Sequence, residues 1–387
     1  MKHTRKMIPL YTRLCFRRIL TSKESFLLCN QRYSQSLKSN PSHQVLVSTS
    51  DDIYTNLALE EWLYEKENLT DKSILFMWQN KPSVVIGRHQ NPWLECNVPR
   101  LRDCGIDLAR RISGGGCVYH DLGNLNCSFL KAKPLYNRRQ NLDLVVRAIT
   151  SRWDVDLQVN VREDIVLEGL YKVSGTASKL GKHNTFHHFT LLHDVNVENL
   201  EMALESPMKM GVQSKATEST RSRIKNLSEC DFTIDFMSLV DVIGHQFYKE
   251  AGVQGEIEWI NPKDESVFPG VSEIRKLAEG WEWKFGKTPK FSTNRTFTSD
   301  KLGTELSLIC NFEKGRIHRA EIVCDCSIPT VKEYTDTLQR ELLGQRLCRE
   351  DLNQVLKVHD LSHLVRHEQL VIEWINQCCV QALCTGV

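Results

Sequence analysis

Short apolar runs and a few helical stripes succeed one another along this chain without a regular strand–helix–strand rhythm. Ile74-Leu75-Phe76-Met77-Trp78 and Val84-Val85-Ile86 are continuous apolar runs separated by Asn80-Lys81-Pro82, which predicts strand, turn, strand. Tyr54, Leu57, Ala58 and Trp62 share one helical face, and Ser50-Asp51-Asp52 ahead of them offers an N-cap. Further strands are expected over 106–110 and 125–130, and around Ile165-Val166-Leu167 and Tyr171-Lys172-Val173, the last two flanking a Glu168-Gly169 turn. A helix is expected over 142–149, and Phe236, Leu239, Val240, Ile243 and Phe247 form a clear helical stripe. This irregular succession predicts an α/β fold, a mixed β-sheet flanked by helices, and not a doubly wound Rossmann domain.

A length of 387 residues exceeds one ordinary core, so two domains are expected. Asn261-Pro262 and Pro269-Gly270 punctuate the chain. The expected division is a main unit over 45–260, a linker over 261–285 and a small α+β unit over 286–387. No apolar run approaches the roughly 18 residues of a membrane span.

Charge changes the picture at one end. Residues 1–40 carry nine Lys or Arg against one acid, Glu24, with Leu10, Leu14, Ile19 and Leu20 interspersed. That basic, amphipathic pattern is that of a mitochondrial presequence, expected to end near Arg32-Tyr33-Ser34 and so to occupy 1–33. Setting aside the +8 of those forty residues leaves the rest near −6, which removes the electrostatic basis for nucleic-acid binding. The 14 cysteines include no CxxC pair and are expected to be free thiols in a reducing compartment.

The densest chemical signal is Arg110-Arg111-Ile112-Ser113-Gly114-Gly115-Gly116-Cys117-Val118-Tyr119-His120-Asp121-Leu122-Gly123-Asn124. Consecutive glycines let backbone N–H groups approach a ligand with no Cβ in the way, and Arg111 and Ser113 offer a charged fork and a hydroxyl. No Gly-Lys-Ser/Thr follows, so this is not a P-loop. The second signal is Lys172-Val173-Ser174-Gly175, where a strand lysine before small residues points into a cleft and suits developing negative charge. His183, His187, His188 and His193 lie close in sequence, but in a strand pattern and without an HExxH acid, so no protein-bound metal is expected. Cys117 has no base beside it and is read as a small loop filler.

Together with Val85-Ile86-Gly87-Arg88-His89-Gln90-Asn91-Pro92-Trp93 and the segment Gly286-Lys287-Thr288-Pro289-Lys290-Phe291-Ser292, these motifs resemble mitochondrial lipoyltransferases of the lipoate–protein ligase family, in its animal branch. The resemblance implies that the 45–260 unit is a biotin/lipoate ligase, class II synthetase-like catalytic domain and the 286–387 unit an accessory domain. It implies that Lys172 is the catalytic lysine and that Arg88, Arg111, Ser113, Gly114, Gly115, Gly116, Tyr119, Arg162, Thr190, Thr220 and Ser222 contact lipoyl-adenylate. Thr220 and Ser222 fall in the Ser/Thr-rich loop that the resemblance implies closes over the adenylate, and the Ser222 match is loose because the surrounding loop diverges. The resemblance further implies a donor that is either lipoyl-AMP, bound as substrate, or a lipoylated carrier protein, with no permanently bound cofactor and magnesium only if lipoate itself is activated. The expected partners are the lipoyl domains of 2-oxoacid dehydrogenase E2 subunits and the glycine cleavage H protein, with no nucleic acid and no membrane. The protein is expected to be a monomer of the mitochondrial matrix. A complete ATP-dependent lipoate–protein ligase is the rival reading. A cysteine–lysine octanoyltransferase is disfavoured, since no cysteine occurs between Cys127 and Cys230.

Overall fold

The computed structural model describes residues 42–208, 211–357, 361–362, 364–384 and 386–387. The expected presequence, 1–33, lies outside the described residues.

Strand β1 (His43–Ser48) runs parallel to β2 (Ser73–Trp78), and helix α1 (Ile53–Lys66) is the crossover that parallel neighbours require. Asp52 occupies the N-cap position of α1, but its carboxylate accepts from the Thr55 hydroxyl and from Arg275 rather than from the backbone. Strand β3 (Ser83–Ile86) leaves this sheet. After the short helices α2 (Pro92–Glu95) and α3 (Val98–Asp103), β3 pairs with β4 (Asp107–Arg110) and β5 (Val118–His120) in a separate three-stranded sheet. Strand β6 (Asn124–Ala132) returns antiparallel to β2.

Helix α4 (Arg138–Thr150) precedes a small antiparallel sheet of β7 (Leu157–Val159), β8 (Ile165–Leu167) and β9 (Tyr171–Lys172). The expected turn between β8 and β9 holds Glu168 at φ 53° and Gly169 at φ 65°, the paired left-handed conformation that suits a tight hairpin. Strands β10 (Thr176–Leu180) and β11 (Asn184–Leu192) complete one edge of the main sheet, and helices α5 (Val197–Leu204) and α6 (Phe236–Ala251) precede its last strand, β13 (Ile257–Ile260). Its order is β10-β11-β6-β2-β1-β13, parallel at the β2-β1-β13 end and antiparallel elsewhere. The mixed sheet read from the sequence is therefore the one that forms.

Successive side chains of β1 and β2 point to opposite faces, and both faces are covered. Val45, Val47, Leu75 and Met77 pack with Leu142, Ile243 and Phe247. Leu46, Ile74, Phe76 and Trp78 pack with Leu59, Leu63 and Phe268. This is why β2 is a continuous apolar run instead of an alternating one.

The 261–285 stretch contains α7 (Val271–Glu279) and α8 (Trp281–Lys284) and is tied to the main unit. The Trp62 indole donates to the Pro269 carbonyl at 2.9 Å, and Arg275 pairs with Asp52 at 2.7 Å. Strands β14 (Phe291–Ser299), β15 (Thr304–Glu313) and β16 (Arg316–Cys324) then form an antiparallel sheet, followed by α9 (Pro329–Leu342), α10 (Arg349–Val355) and α11 (Arg366–Cys384). An earlier strand, β12 (Val212–Ser214), adds to the β14 edge of that second sheet. Trp93 packs between the units, its ring tilted against those of Phe285 at 5.3 Å and Phe291 at 5.7 Å. Every cysteine among the described residues is a free thiol, and none of the described helices is long and apolar enough to cross a membrane.

Candidate active site

A cleft of about 1940 Å³ opens between the glycine loop, β9 to β11, the 212–224 segment and one end of β14 and β15. Two buried arginines build its glycine wall. Arg110 donates to the carbonyls of Gly87, Arg88 and Gln90 at 2.9–3.1 Å, and to those of Trp283 and Lys284. Arg111 donates to the carbonyls of Val85, Gly114 and Gly116 and to the Ser113 hydroxyl, at 2.6–3.0 Å for its shortest bonds. Burial pushes both guanidinium pKa values down to about 10, so both remain charged at neutral pH.

The glycines are needed for this approach. A Cβ on Gly87 would stand 2.1 Å from the Gly115 carbonyl oxygen, and Gly115 has φ 85° with the Arg111 guanidinium only 2.9 Å from where its Cβ would be. Ser113 lies under the loop, its Oγ 2.8 Å from His188 Nε2, and His188 Nδ1 is 2.8 Å from the Glu60 carboxylate. His120, beside Arg111 and His188, is held neutral; burial first, then those two neighbours, pushes its pKa down to about 3. Burial pushes the Cys117 thiol well above its ordinary value, which fits a loop filler and not a nucleophile.

The opposite wall is built differently. Lys172 sits on β9, its side chain a quarter exposed, with Nζ 2.8 Å from Asp164. Asp164 ends a turn in which Asn160 Oδ1 accepts from the N–H groups of both Arg162 and Asp164, at 2.9 and 3.0 Å. Arg138, at the start of α4, pairs with Glu163 at 2.6 Å. Thr190 Oγ1 accepts from the Gly175 N–H at 2.9 Å, fixing the small-residue stretch after the lysine.

Of the expected contact residues, Arg111, Gly115, Gly116, Tyr119, Arg162, Lys172, Thr190, Thr220 and Ser222 line the cleft. Arg88, Ser113 and Gly114 are set back from it, and the Arg88 guanidinium lies 5.2 Å over the Trp283 ring. Sequence reading did not assign roles to Asp164, Arg138, Ser219 or the Glu60–His188 pair. The Arg162-x-Asp164 spacing was the available signal for the first. Among the described residues no cluster of three or more His, Cys, Asp or Glu is placed to hold a metal; His188 is engaged with Glu60 and Ser113. The lining joins apolar groups such as Leu57, Trp78, Val85 and Phe189 to the cations Lys172, Arg162 and Arg138 and the hydroxyls of Thr220 and Ser222. That combination suits an apolar acyl chain joined to an anionic phosphate.

The family described as "Lipoyl protein ligase A/B catalytic domain" matches residues 52–248. The mitochondrial lipoyl amidotransferase LIPT1 of Mus musculus is 40% identical over 348 residues, covering 88% of this chain and 90% of the relative. Its Homo sapiens counterpart is 39% identical over 360 residues, covering 91% and 93%. Among solved structures, P. falciparum LipL1 in complex with lipoate is 28% identical with a TM-score of 0.56, covering 87% of this chain and 99% of that one. Lipoate-protein ligase A bound with ATP is 26% identical with a TM-score of 0.51, covering 62% and 98%.

Proposed function

The chain belongs to the lipoyl protein ligase A/B catalytic-domain family and is a lipoyltransferase, and from that premise we propose its donor, its acceptors and the roles of its residues. The donor is lipoyl-adenylate, a mixed anhydride of the lipoyl carboxylate and the α-phosphate of AMP. The neutral ε-amine of an acceptor lysine attacks the acyl carbonyl, the tetrahedral oxyanion collapses, AMP leaves, and the amine's proton goes to solvent or to a nearby base. Lys172 lies beside both centres of charge, the carbonyl oxygen and the α-phosphate, and stabilises what develops on them. Arg162, Thr220 and Ser222 contact the nucleotide. The acyl chain extends among Leu57, Val85 and Phe189.

The acceptors are lipoyl domains of 2-oxoacid dehydrogenase E2 subunits and the glycine cleavage H protein. An archaeal lipoate protein ligase has been solved as part of a lipoylation system with its E2 lipoyl domain. The relatives are named as mitochondrial, and with the basic leader this supports an enzyme of the matrix, which we take to act as a monomer. The reaction uses no permanently bound cofactor, and magnesium enters only if the protein also activates lipoate.

The observation that carries this reading is Lys172, a cleft-lining cation with one carboxylate neighbour and part of its surface open. Incubating the protein with apo-lipoyl domain and either lipoyl-adenylate, or lipoate, ATP and magnesium, tests it. Rapid lipoylation from the adenylate with little pyrophosphate release in the second arm is expected. Comparable rates in both arms would make the protein a complete ligase.

A further inference from the structure

The segment between β12 and Ile224 borders the cleft and meets the glycine loop at Ser219. Ser219 Oγ accepts from the Cys117 N–H at 2.8 Å and from Gln90 Nε2 at 3.0 Å, and it donates to the Glu95 carboxylate. A hydroxyl has one proton and two lone pairs, so all of its hydrogen-bonding capacity is engaged. Gln90 is buried and held at its other end, where Oε1 accepts from the Gly87 N–H at 2.8 Å. The neighbouring Thr217 N–H donates to the His89 carbonyl at 3.2 Å.

The glycine loop is shaped for this contact. A Cβ on Gly116 would come within 3.1 Å of Ser219 Oγ and 3.4 Å of its Cα, so the third glycine admits the segment as well as a ligand. Both ends of the segment are pinned elsewhere. At one end β12 pairs with β14 of the second sheet. At the other, the Lys172 N–H donates to the Arg223 carbonyl at 2.8 Å.

We propose that Ser219 is a positioning residue, the latch that holds the 215–223 segment against the glycine loop while the acyl-adenylate is bound. This rests on the donor assigned above and on the closing loop that the resemblance implies, and adds the residue that holds it: a mixed anhydride is open to hydrolysis, and a latched segment keeps water from it until the acceptor amine arrives. Glu95 and Gln90 orient the latch, and neither needs to touch the donor.

The test uses full-length protein and the variants Ser219→Ala, Ser219→Thr and Gly116→Ala. Trypsin cleavage after Lys215, Arg221 and Arg223, followed by mass spectrometry, reads opening of the segment without any assumption about substrate. Losing a hydroxyl bonded to a carboxylate should speed cleavage about tenfold in Ser219→Ala. Ser219→Thr, which keeps the hydroxyl, should restore protection, and Gly116→Ala should open the segment through its added Cβ. In parallel, hydrolysis of lipoyl-adenylate without acceptor should rise about tenfold relative to transfer in Ser219→Ala, at unchanged Tm. A folded Ser219→Ala protein with wild-type cleavage and a wild-type ratio of hydrolysis to transfer would overturn the latch. Wild-type protein that does not use lipoyl-adenylate would instead overturn the assigned donor, and the proteolysis would still decide the latch.

Discussion

The glycine loop and the β9 hairpin each bring a cation to the same cleft, and they are built in opposite ways. Arg111 is 5% exposed and spends its donors on backbone carbonyls and Ser113. Lys172 meets Asp164 and keeps part of its side chain open to the cleft. A guanidinium with five fixed donors can hold a loop whose carbonyls all turn inward; an ammonium on a flexible stem can exchange one carboxylate for a ligand oxygen. One cation therefore makes the shape of the site, and the other is the one to which we assign the chemistry.

Removing the shaping cation should have the largest effect. Arg111→Ala leaves the carbonyls of Val85, Gly114 and Gly116 without their donor and empties a buried side-chain site, and is expected to destabilise the protein by about 3 kcal/mol. Chemical denaturation measures it. A loss below about 1 kcal/mol would mean that the loop holds its form unaided.

Acid should separate the two walls next. The His120 pKa, about 3 in the folded protein, lies below the ordinary 6.5, so the unfolded chain binds the extra proton between those values. Stability contributed by neutral His120 is complete above pH 6.5 and falls as pH drops below it, by up to about 1.4 kcal/mol per unit. Burial pushes His187 down as well, so it adds to the slope in the same direction. His120→Gln should flatten part of the decline in Tm between pH 7 and 5. An identical slope in that variant would place the acid sensitivity elsewhere.

A smaller effect is expected from Asp164→Asn. The substitution keeps the turn but removes the carboxylate from Lys172. Because the Lys172 ammonium keeps access to water and the new amide oxygen can still accept from it, stability should change by only about 1 kcal/mol. Transfer should fall about tenfold through loss of lysine orientation. The pH profile of transfer, compared with wild type, distinguishes this from general unfolding.

The same contrast explains what could be read from the chain. Runs such as Ile74 to Trp78 report a strand buried on both faces, because periodicity and burial are local properties of the sequence. That Lys172, Gly115 and Gly116 would border one cleft was legible because residue type, spacing and a specific resemblance agreed. An arginine beside glycines reads the same in sequence whether its donors meet a ligand or backbone carbonyls. Arg111 lines the cleft, and its bonds to the carbonyls of Val85, Gly114 and Gly116 become visible only in the fold. The Ser113–His188–Glu60 chain joins residues 75 and 128 positions apart, and the Ser219–Cys117 bond spans 102. Such polar pairings leave no period to detect. The addition of β12 to the second sheet was hidden likewise, because three residues carry too little pattern to name a partner.

The division of labour between the walls is tested most directly by Lys172→Ala, comparing Tm with single-turnover transfer from lipoyl-adenylate to an apo-lipoyl domain. The expected result is a Tm close to wild type and a rate reduced about 10²–10³-fold. A well-folded variant that transfers at near wild-type rate would contradict it.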